Sequence, residues 1–219
     1  MNFLSKIYEE SRTKLENRLS ILRAAFTVAE SKGLINTNIS LISQESGFDR
    51  NTIYRYYPNK DAVFCDLILY IQNDYLEQFT EDDFDLSKVK TGFEKVRIYH
   101  YKILEHFYTN NNSRMFNIMS EFDYIISHMD KNDPLFINHK KHLSTLPQAS
   151  DVLIKLIDEG IEDNSIACGV DSETCCEILM QSTFSFFVRC ENKKSIRPFF
   201  SKKSLYSFVE IMLNGIKNT

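Results

Sequence analysis

The residues of this chain best suited to chemistry lie together in one short segment, Arg50-Asn-Thr-Ile-Tyr-Arg-Tyr56. An arginine can bind the O6 and N7 atoms of guanine with two hydrogen bonds, and an asparagine can bind N6 and N7 of adenine in the same way. Threonine and tyrosine hydroxyls bind phosphate oxygens, and threonine also contacts the thymine methyl group. The composition of the segment predicts a surface that reads base edges in double-stranded DNA.

Two short helices are expected to position these side chains. A helix with an apolar face over residues 39–46 leads into Gly47, where glycine permits a sharp turn at positive φ. Asp49 stands at the N-cap of a second helix, over residues 50–56, in which Ile53 faces inward. A helix-turn-helix has this form, because one helix braces the second, whose N-terminal end enters the major groove. The alternative, an ordinary helical hairpin with a polar outer face, does not require these arginines, this amide and these tyrosines.

The spacing of apolar residues in the rest of the chain is that of an all-α protein. Only 6 Gly and 4 Pro occur among 219 residues, too few for the turns of an all-β fold. Apolar residues recur at intervals of three and four, and they predict helices over about residues 12–32, 60–79, 89–108, 114–129, 134–142, 152–161, 173–190 and 205 to the C-terminus. We expect an N-terminal three-helix helix-turn-helix domain over residues 1–64 and a larger C-terminal helical domain over residues 65–219.

Charge is distributed unevenly between these two predicted domains. The formal net charge is −4, which by itself opposes binding to nucleic acid. Residues 1–64 hold nine Lys and Arg against seven Asp and Glu, a balance of +2, whereas residues 65–219 hold seventeen against twenty-three, a balance of −6. The acidic part can stay away from phosphate while a local basic face meets it. Since the basic excess is small, affinity should depend on geometry and on two copies binding together.

The sequence indicates a cytoplasmic protein. No apolar run is long enough to cross a bilayer, and the N-terminal sequence becomes acidic too early for a signal peptide. The five cysteines are odd in number and irregularly spaced, which favours reduced thiols over disulfides. We therefore expect no association with a membrane.

A second pattern, Tyr54-x-x-Tyr57-Pro58-x-Lys60, follows the glycine turn. The stretch from about Leu22 to Leu67 resembles the tetracycline-repressor (TetR) family of bacterial regulators. The matching residues are Ala24, Ala25, Phe26, Ala29, Gly33, Thr37, Ile42, Gly47, Thr52, Ile53, Tyr54, Tyr57, Pro58, Lys60 and Val63. Three positions depart from the usual residues and keep the packing, namely Ser43 for a small alanine, Phe48 for a smaller aliphatic residue and Tyr57 for phenylalanine.

The resemblance implies where DNA is bound. Arg50 and Asn51 take the positions of residues that read base edges, and Thr37 and Lys60 fall at helix N-termini, which favour phosphate. Tyr54 has a second interpretation, in which its ring packs on the first helix and only its hydroxyl reaches DNA, and Tyr57 is expected in the core. The predicted DNA-binding residues are Thr37, Asn38, Arg50, Asn51, Thr52, Tyr54, Arg55, Tyr56 and Lys60.

The resemblance also implies a homodimer on a palindromic operator, because one short recognition helix gives little specificity and two, held about 34–36 Å apart, give enough. The last two predicted helices have wide aromatic faces that could form a four-helix bundle with a second copy. Alternatively, these helices cover the core of the single chain. The predicted interface residues are Leu179, Thr183, Phe186, Phe187, Leu205, Phe208 and Met212.

In this family the middle of the chain encloses a small-molecule effector. Aromatic residues are abundant there, and ligand cavities generally have apolar walls with a few polar groups. For any single residue, however, ordinary core packing is the alternative. The predicted pocket residues are Tyr99, Ile103, Phe107, Phe116, Met119, Phe122 and Phe184.

Other functions are weakly supported by the sequence. His139 and His142 lie one helical turn apart, a spacing that can bind metal, but no accompanying motif supports a site, so we predict no metal and no cofactor. An enzyme is not expected, because there is no nucleophile–base pair, no glycine-rich phosphate loop and no carboxylate constellation. The leading hypothesis is a repressor released from DNA by an unidentified small molecule. The alternative is a DNA-bound structural or interaction protein of the same fold without an effector.

Overall fold

The computed structural model describes residues 4–77, 86–109, 113–144, 149–193 and 201–218. Within these ranges the chain is all-helical, and the β-pairing they contain is a single antiparallel bridge between Ile166 and Lys217. The helices are α1 (Leu4–Ile7), α2 (Arg12–Lys32), α3 (Ile39–Ser46), α4 (Arg50–Tyr56), α5 (Lys60–Glu77), α6 (Gly92–Thr109), α7 (Ser113–Ser127), α8 (Pro134–Leu143), α9 (Ala149–Glu162), α10 (Ser172–Lys193) and α11 (Lys202–Ile216).

The all-α prediction and the order of the predicted helices are confirmed. The bounds agree best where a side chain caps the helix locally, as Asp49 caps α4 and Asn59 accepts the N–H of Ala62 at the start of α5. Two helices begin elsewhere than predicted, since α6 begins at residue 92 instead of 89 and α9 at 149 instead of 152. The acidic segment at residues 81–85, predicted to be a loop, lies outside the described residues.

The chain divides into two compact units. One comprises residues 1–78 and 117–147, and the other comprises residues 79–116 and 148–219. The first unit therefore contains helices α1 to α5 together with α8 and most of α7, and the second contains α6 and α9 to α11. The expected boundary after residue 64, which separates DNA binding from effector binding and dimerisation, stays a prediction.

In the first unit, α2 packs against α3 and α5, and α8 packs against α5. The buried face of α2 is formed by residues three and four apart, including Ile21, Leu22, Ala25 and Val28. A helix with such a stripe buries it against its neighbours, and each fully buried large apolar side chain contributes about 1.5–3 kcal/mol. The first unit thus has a conventional apolar core beneath the helix-turn-helix.

Helix α7 contacts the turn that joins α2 to α3 within the first unit. The Ile35 N–H donates to Oε2 of Glu121 at 3.0 Å. Gly33, the C-cap of α2, has a φ of 82°, and its Cα lies beneath the same carboxylate, with Oε1 at 3.1 Å from the position a Cβ would take. Glu121 consequently holds the start of the helix-turn-helix from a helix outside the predicted DNA-binding domain.

In the second unit, α6 crosses α9 at two glycines. A Cβ added to Gly92 would lie 2.1 Å from the backbone N of Gly160, so only glycine permits this approach. The N-terminus of α6 is capped from the end of α9, because Gly92 N–H donates to Oδ2 of Asp163 at 2.7 Å and Phe93 N–H donates to Oγ of Ser165 at 3.0 Å. Hydrogen bonds from Ser165 and Gly92 lower the pKa of Asp163.

His100 is a buried polar residue in the core of the second unit. Its Nε2 lies 2.8 Å from Oγ1 of Thr183, whereas Nδ1 has no hydrogen-bond partner among the residues that the structure describes. Burial lowers the pKa of His100 from 6.5 to about 4, because a charged imidazolium would lie in an apolar surrounding without a counter-ion. The folded chain therefore keeps this imidazole neutral.

We predict that acid destabilises the chain through His100. The unfolded state binds the proton near pH 6.5 and the folded state only near pH 4, so this stabilisation is complete above 6.5 and is lost as the pH falls towards 4. The difference corresponds to about 3 kcal/mol of the free energy of unfolding. Urea unfolding of the wild type and His100→Gln across this range should show a flatter pH dependence in the variant.

The matched control for this experiment is His128→Gln, which replaces an exposed imidazole on α7. An equal change of slope in this control would show that the effect comes from the loss of any imidazole and not from the burial of His100. Equal slopes for the wild type and His100→Gln would contradict the assignment.

Candidate nucleic-acid interface

The N-terminus of the recognition helix α4 is capped by the side chain of Asp49. Oδ1 of Asp49 accepts the Thr52 N–H at 2.9 Å, Oδ2 accepts the Thr52 hydroxyl at 2.7 Å, and Thr52 Oγ1 in turn accepts a hydrogen bond from Nη2 of Arg55 at 2.9 Å. The bonds from Thr52 lower the pKa of Asp49, so it is a carboxylate at neutral pH. The cap prediction is confirmed, and it gives a seven-residue helix a defined start.

The two predicted base readers are exposed at the start of this helix. Arg50 and Asn51 both face solvent, and neither side chain has a hydrogen-bond partner within the described part of the chain. Ile53 is fully buried on the opposite face and anchors α4 to the core, as predicted. Tyr54 is 44% exposed, so part of its surface packs and the remainder is accessible. The arrangement presents unpartnered donors and acceptors outward on a rigid support.

Helix α3 braces α4 through the turn between them. Gly47 has a φ of 74°, in the left-handed region, and its N–H donates to the carbonyl of Ser43 at 3.1 Å. The hydroxyl of Ser43 donates to the carbonyl of Phe48 at 2.7 Å, which ties α3 to the far side of the turn. Serine therefore does more here than the small alanine it replaces, because an alanine could not make this bond.

An open cleft of about 480 Å³ lies beside the recognition helix. It is bordered by the N-termini of α3 and α5, whose N–H groups favour anions. The side chain of Asn38 caps α3 by accepting the Leu41 N–H at 3.0 Å, which leaves other N–H groups of the first turn for a ligand. The residues lining the cleft are Asn38, Ile39, Ser40, Arg50, Tyr54, Pro58, Asn59 and Lys60.

Thr37 and Tyr56, both among the predicted DNA-binding residues, have hydrogen-bond partners away from the recognition helix. Thr37 is buried, its hydroxyl donates to the carbonyl of Gly33 at 2.9 Å, and its N–H donates to the carbonyl of Leu34 at 3.1 Å, so both of its hydrogen-bond donors are already engaged. Tyr56 is half-buried, and its hydroxyl accepts a hydrogen bond from Nδ2 of Asn17 at 2.9 Å. Tyr57 is buried, as predicted. Sequence spacing could not reveal the partner of Tyr56, since Asn17 is far from it along the chain.

The predicted effector residues are divided between the two units. Tyr99, Ile103 and Phe184 belong to the second unit, and Met119 and Phe122 belong to the first, where the Phe122 ring lies 5.1 Å from that of His139. Tyr99, Ile103 and Phe122 are buried, while Met119 and Phe184 are half-buried. The side chains of Phe107 and Phe116 lie outside those that the structure describes. A common pocket stays a prediction.

Several predicted dimer residues serve the chain's own core. Leu179, Thr183, Phe187 and Leu205 are buried, which agrees with the alternative interpretation that these helices cover the core. The other three are half-buried, and the Phe186 and Phe208 rings stack with centroids 4.5 Å apart. Ile178 and Ile211, which the sequence analysis did not single out, are 54% and 72% exposed. The sequence did contain a signal for both residues, since each is an apolar residue that lies outside the main apolar stripe of its helix.

The cysteines and histidines do not form a further centre in the described ranges. Burial raises the pKa of Cys65 and Cys175 to about 12 and that of Cys176 to about 11, which makes these thiols poor nucleophiles at neutral pH. In the parts of the chain that are described, no cluster of three or more His, Cys, Asp or Glu residues could hold a metal ion. Among the same residues, no helix is long and apolar enough to span a bilayer.

The described helices form an all-helical fold that contains a helix-turn-helix with an exposed, capped second helix. Residues 21–67 match the sequence profile described as "Bacterial regulatory proteins, tetR family". Among solved structures, a TetR-family transcriptional regulator from Agrobacterium tumefaciens matches with a TM-score of 0.65 at 17% identity, covering 93% of this chain and 98% of that one. The match thus places residues 21–67 in the tetR-family profile, and the likeness to the solved TetR-family regulators shows that the chain shares their fold.

Two further matches are regulators from Bacillus subtilis. The fatty acid metabolism regulator protein of Bacillus subtilis (strain 168) is 21% identical over 210 residues, covering 94% of this chain and 99% of that one. The structure of the regulator FadR from Bacillus subtilis, in complex with stearoyl-CoA, matches with a TM-score of 0.57 at 19% identity, covering 90% of this chain and 98% of that one. Both relatives are regulators, and the structural likeness shows the fold.

Proposed function

We propose that the chain is a transcriptional repressor that binds a palindromic operator as a homodimer and is released by a small-molecule effector. The observation that carries the proposal is the pair of unpartnered side chains, Arg50 and Asn51, on the exposed start of a capped helix. Lys60 and the N-terminus of α3 border the adjacent cleft and supply phosphate contacts. Base contacts of this kind specify sequence, whereas phosphate contacts set orientation.

The homodimer is proposed because one seven-residue recognition helix reads too few base pairs. Two copies related by a twofold axis place their recognition helices in successive major grooves, about 34–36 Å apart. Ile178 on α10 and Ile211 on α11 are exposed apolar side chains on the helices predicted to form the interface. Together with the half-buried Phe186, Phe208 and Met212, they are the residues we propose to meet the second copy.

We propose a fatty acyl-CoA as the class of effector. The support is similarity to the Bacillus subtilis regulator solved with stearoyl-CoA, together with the buried aromatic and aliphatic side chains of α6. Release requires the effector to bind the DNA-free conformation more tightly than the DNA-bound one. Glu121 gives α7 a direct contact with the turn before α3. A shift of α7 would therefore move the start of the helix-turn-helix.

The test begins with selection of duplexes from a random library by the purified wild-type chain. Enrichment of a palindrome with half-sites one helical turn apart, or a multiple of it, is the expected result. Adding stearoyl-CoA should then release the protein from the selected duplex in a gel-shift assay, and an equal concentration of free coenzyme A should not. Failure to enrich any sequence would refute DNA reading, whereas a palindrome without release would refute only the effector class.

A further inference from the structure

Arg18 of α2 is a buried arginine that joins two distant parts of the first unit. Only 6% of its surface is exposed. Its Nε donates to Oε2 of Glu10 at 2.8 Å and its Nη2 donates to Oε1 of the same residue at 3.1 Å, a two-bond pairing. Nη1 donates to the backbone carbonyl of Tyr56 at 3.0 Å. One guanidinium therefore connects the segment before α2 to the last residue of the recognition helix.

Aromatic rings fix the position of this guanidinium. Its central carbon lies 3.8 Å from the ring centroid of Tyr8 and 5.1 Å from that of Tyr57, both within cation–π range. The Tyr8 hydroxyl donates to Oδ2 of the buried Asp66 at 2.7 Å, which anchors the N-terminal segment to α5. Because Glu10 is the carboxylate paired with Arg18, the charge of the buried guanidinium is matched.

The hydrogen bond from Arg18 to the Tyr56 carbonyl lies at the C-terminal end of α4. The last carbonyls of an α-helix have no N–H within the helix, and a positive charge beside them is favoured by the helix dipole. Asn17, the neighbour of Arg18 on α2, donates to the Tyr56 hydroxyl, so α2 holds both the backbone and the side chain of this residue. A helix of two turns is not stable alone, so external contacts set its direction.

We infer that Glu10 and Arg18 are positioning residues for sequence reading by α4. Glu10 orients the guanidinium, the guanidinium fixes the C-terminal end of α4, and that end sets the angle at which Arg50 and Asn51 approach the bases. The inference rests on the proposed DNA-binding function. It assigns a role to residues 8–10, which lie outside the stretch that matches the family profile.

The expected consequence is a loss of discrimination between sequences more than a loss of total affinity. Hydrogen bonds to bases require the side chains of the recognition helix to be placed within about half an ångström. A phosphate contact by a flexible lysine such as Lys60 persists after a small rotation of the helix. A variant that is only less stable has a smaller folded fraction, which lowers its measured affinity for every duplex by the same factor. The ratio of affinities for a selected and a scrambled duplex therefore separates positioning from folding.

The experiment uses the full chain and the duplex selected from the random library by the wild type. Dissociation constants for this duplex and for a scrambled one of equal composition are measured by fluorescence anisotropy at one salt concentration, below the melting temperature of every variant. Glu10→Gln removes the ion pair, and Arg18→Lys keeps the charge but loses the two-bond geometry. Both should lower the ratio of affinities roughly tenfold, the scale of one lost charge-assisted hydrogen bond.

The matched control is Glu16→Gln. Glu16 also pairs with an arginine of α2, Arg12, at 2.9 Å, but the side chains of Glu16 and Arg12 are 59% and 93% exposed. It should keep the wild-type ratio. An unchanged ratio in both test variants, an equal drop in the control, or loss of cooperative folding in both test variants would each overturn the inference. A wild type that prefers no duplex would instead refute the proposed function.

Discussion

Replacing Gly92 by alanine should destabilise the chain by about 3 kcal/mol or more, the upper range for overpacked sites. The new Cβ would lie 2.1 Å from the backbone N of Gly160 and 2.3 Å from its Cα, and backbone cannot move aside as a flexible side chain can. Separation of α6 from α9 would also strain the bond from the Gly92 N–H to Asp163. Urea unfolding at pH 7 measures the change.

Gly215→Ala is the control for this prediction, because it makes the same change in another helix of the same unit. A Cβ at Gly215 meets nothing within 4 Å. Alanine is favoured over glycine within a helix by about 1 kcal/mol, so the control should be neutral or stabilising. A Gly92→Ala chain as stable as the wild type would show that α6 and α9 are not closely packed at this crossing.

Replacing Arg50 by alanine should reduce discrimination at one base pair by about 1–3 kcal/mol. The side chain is exposed and unpartnered within the described chain, so its loss should leave the free energy of unfolding nearly unchanged. A new library selection with the variant should return the wild-type sequence with one position relaxed in each half-site. Anisotropy titrations with single-base variants of the duplex give the magnitude.

Arg23→Ala is the matched control, since Arg23 is an exposed arginine of α2 in the same unit. It removes the same charge and can weaken binding to all duplexes equally, but it should relax no position. If Arg50→Ala selects the same sequence with the same stringency, Arg50 does not read a base.

The helix-turn-helix could be predicted in detail because its determinants are close together along the chain. The cap of Asp49 on Thr52, the positive φ of Gly47 and the inward Ile53 each depend on residues within one or two turns. Local steric and hydrogen-bonding rules are sufficient there. The all-α class followed equally from apolar periodicity and from the scarcity of glycine and proline.

The distant contacts could not be predicted. The pairing of Arg18 with Glu10 and Tyr56, the crossing at Gly92 and Gly160, and the burial of Thr183 beside His100 each join residues that no short-range pattern connects. A stripe of apolar residues shows that a helix face is buried, but it does not show against what. For this reason the sequence alone indicated which segment would contact DNA. Only the tertiary structure determined which side chains of that segment are exposed and which are buried or hydrogen-bonded within the protein.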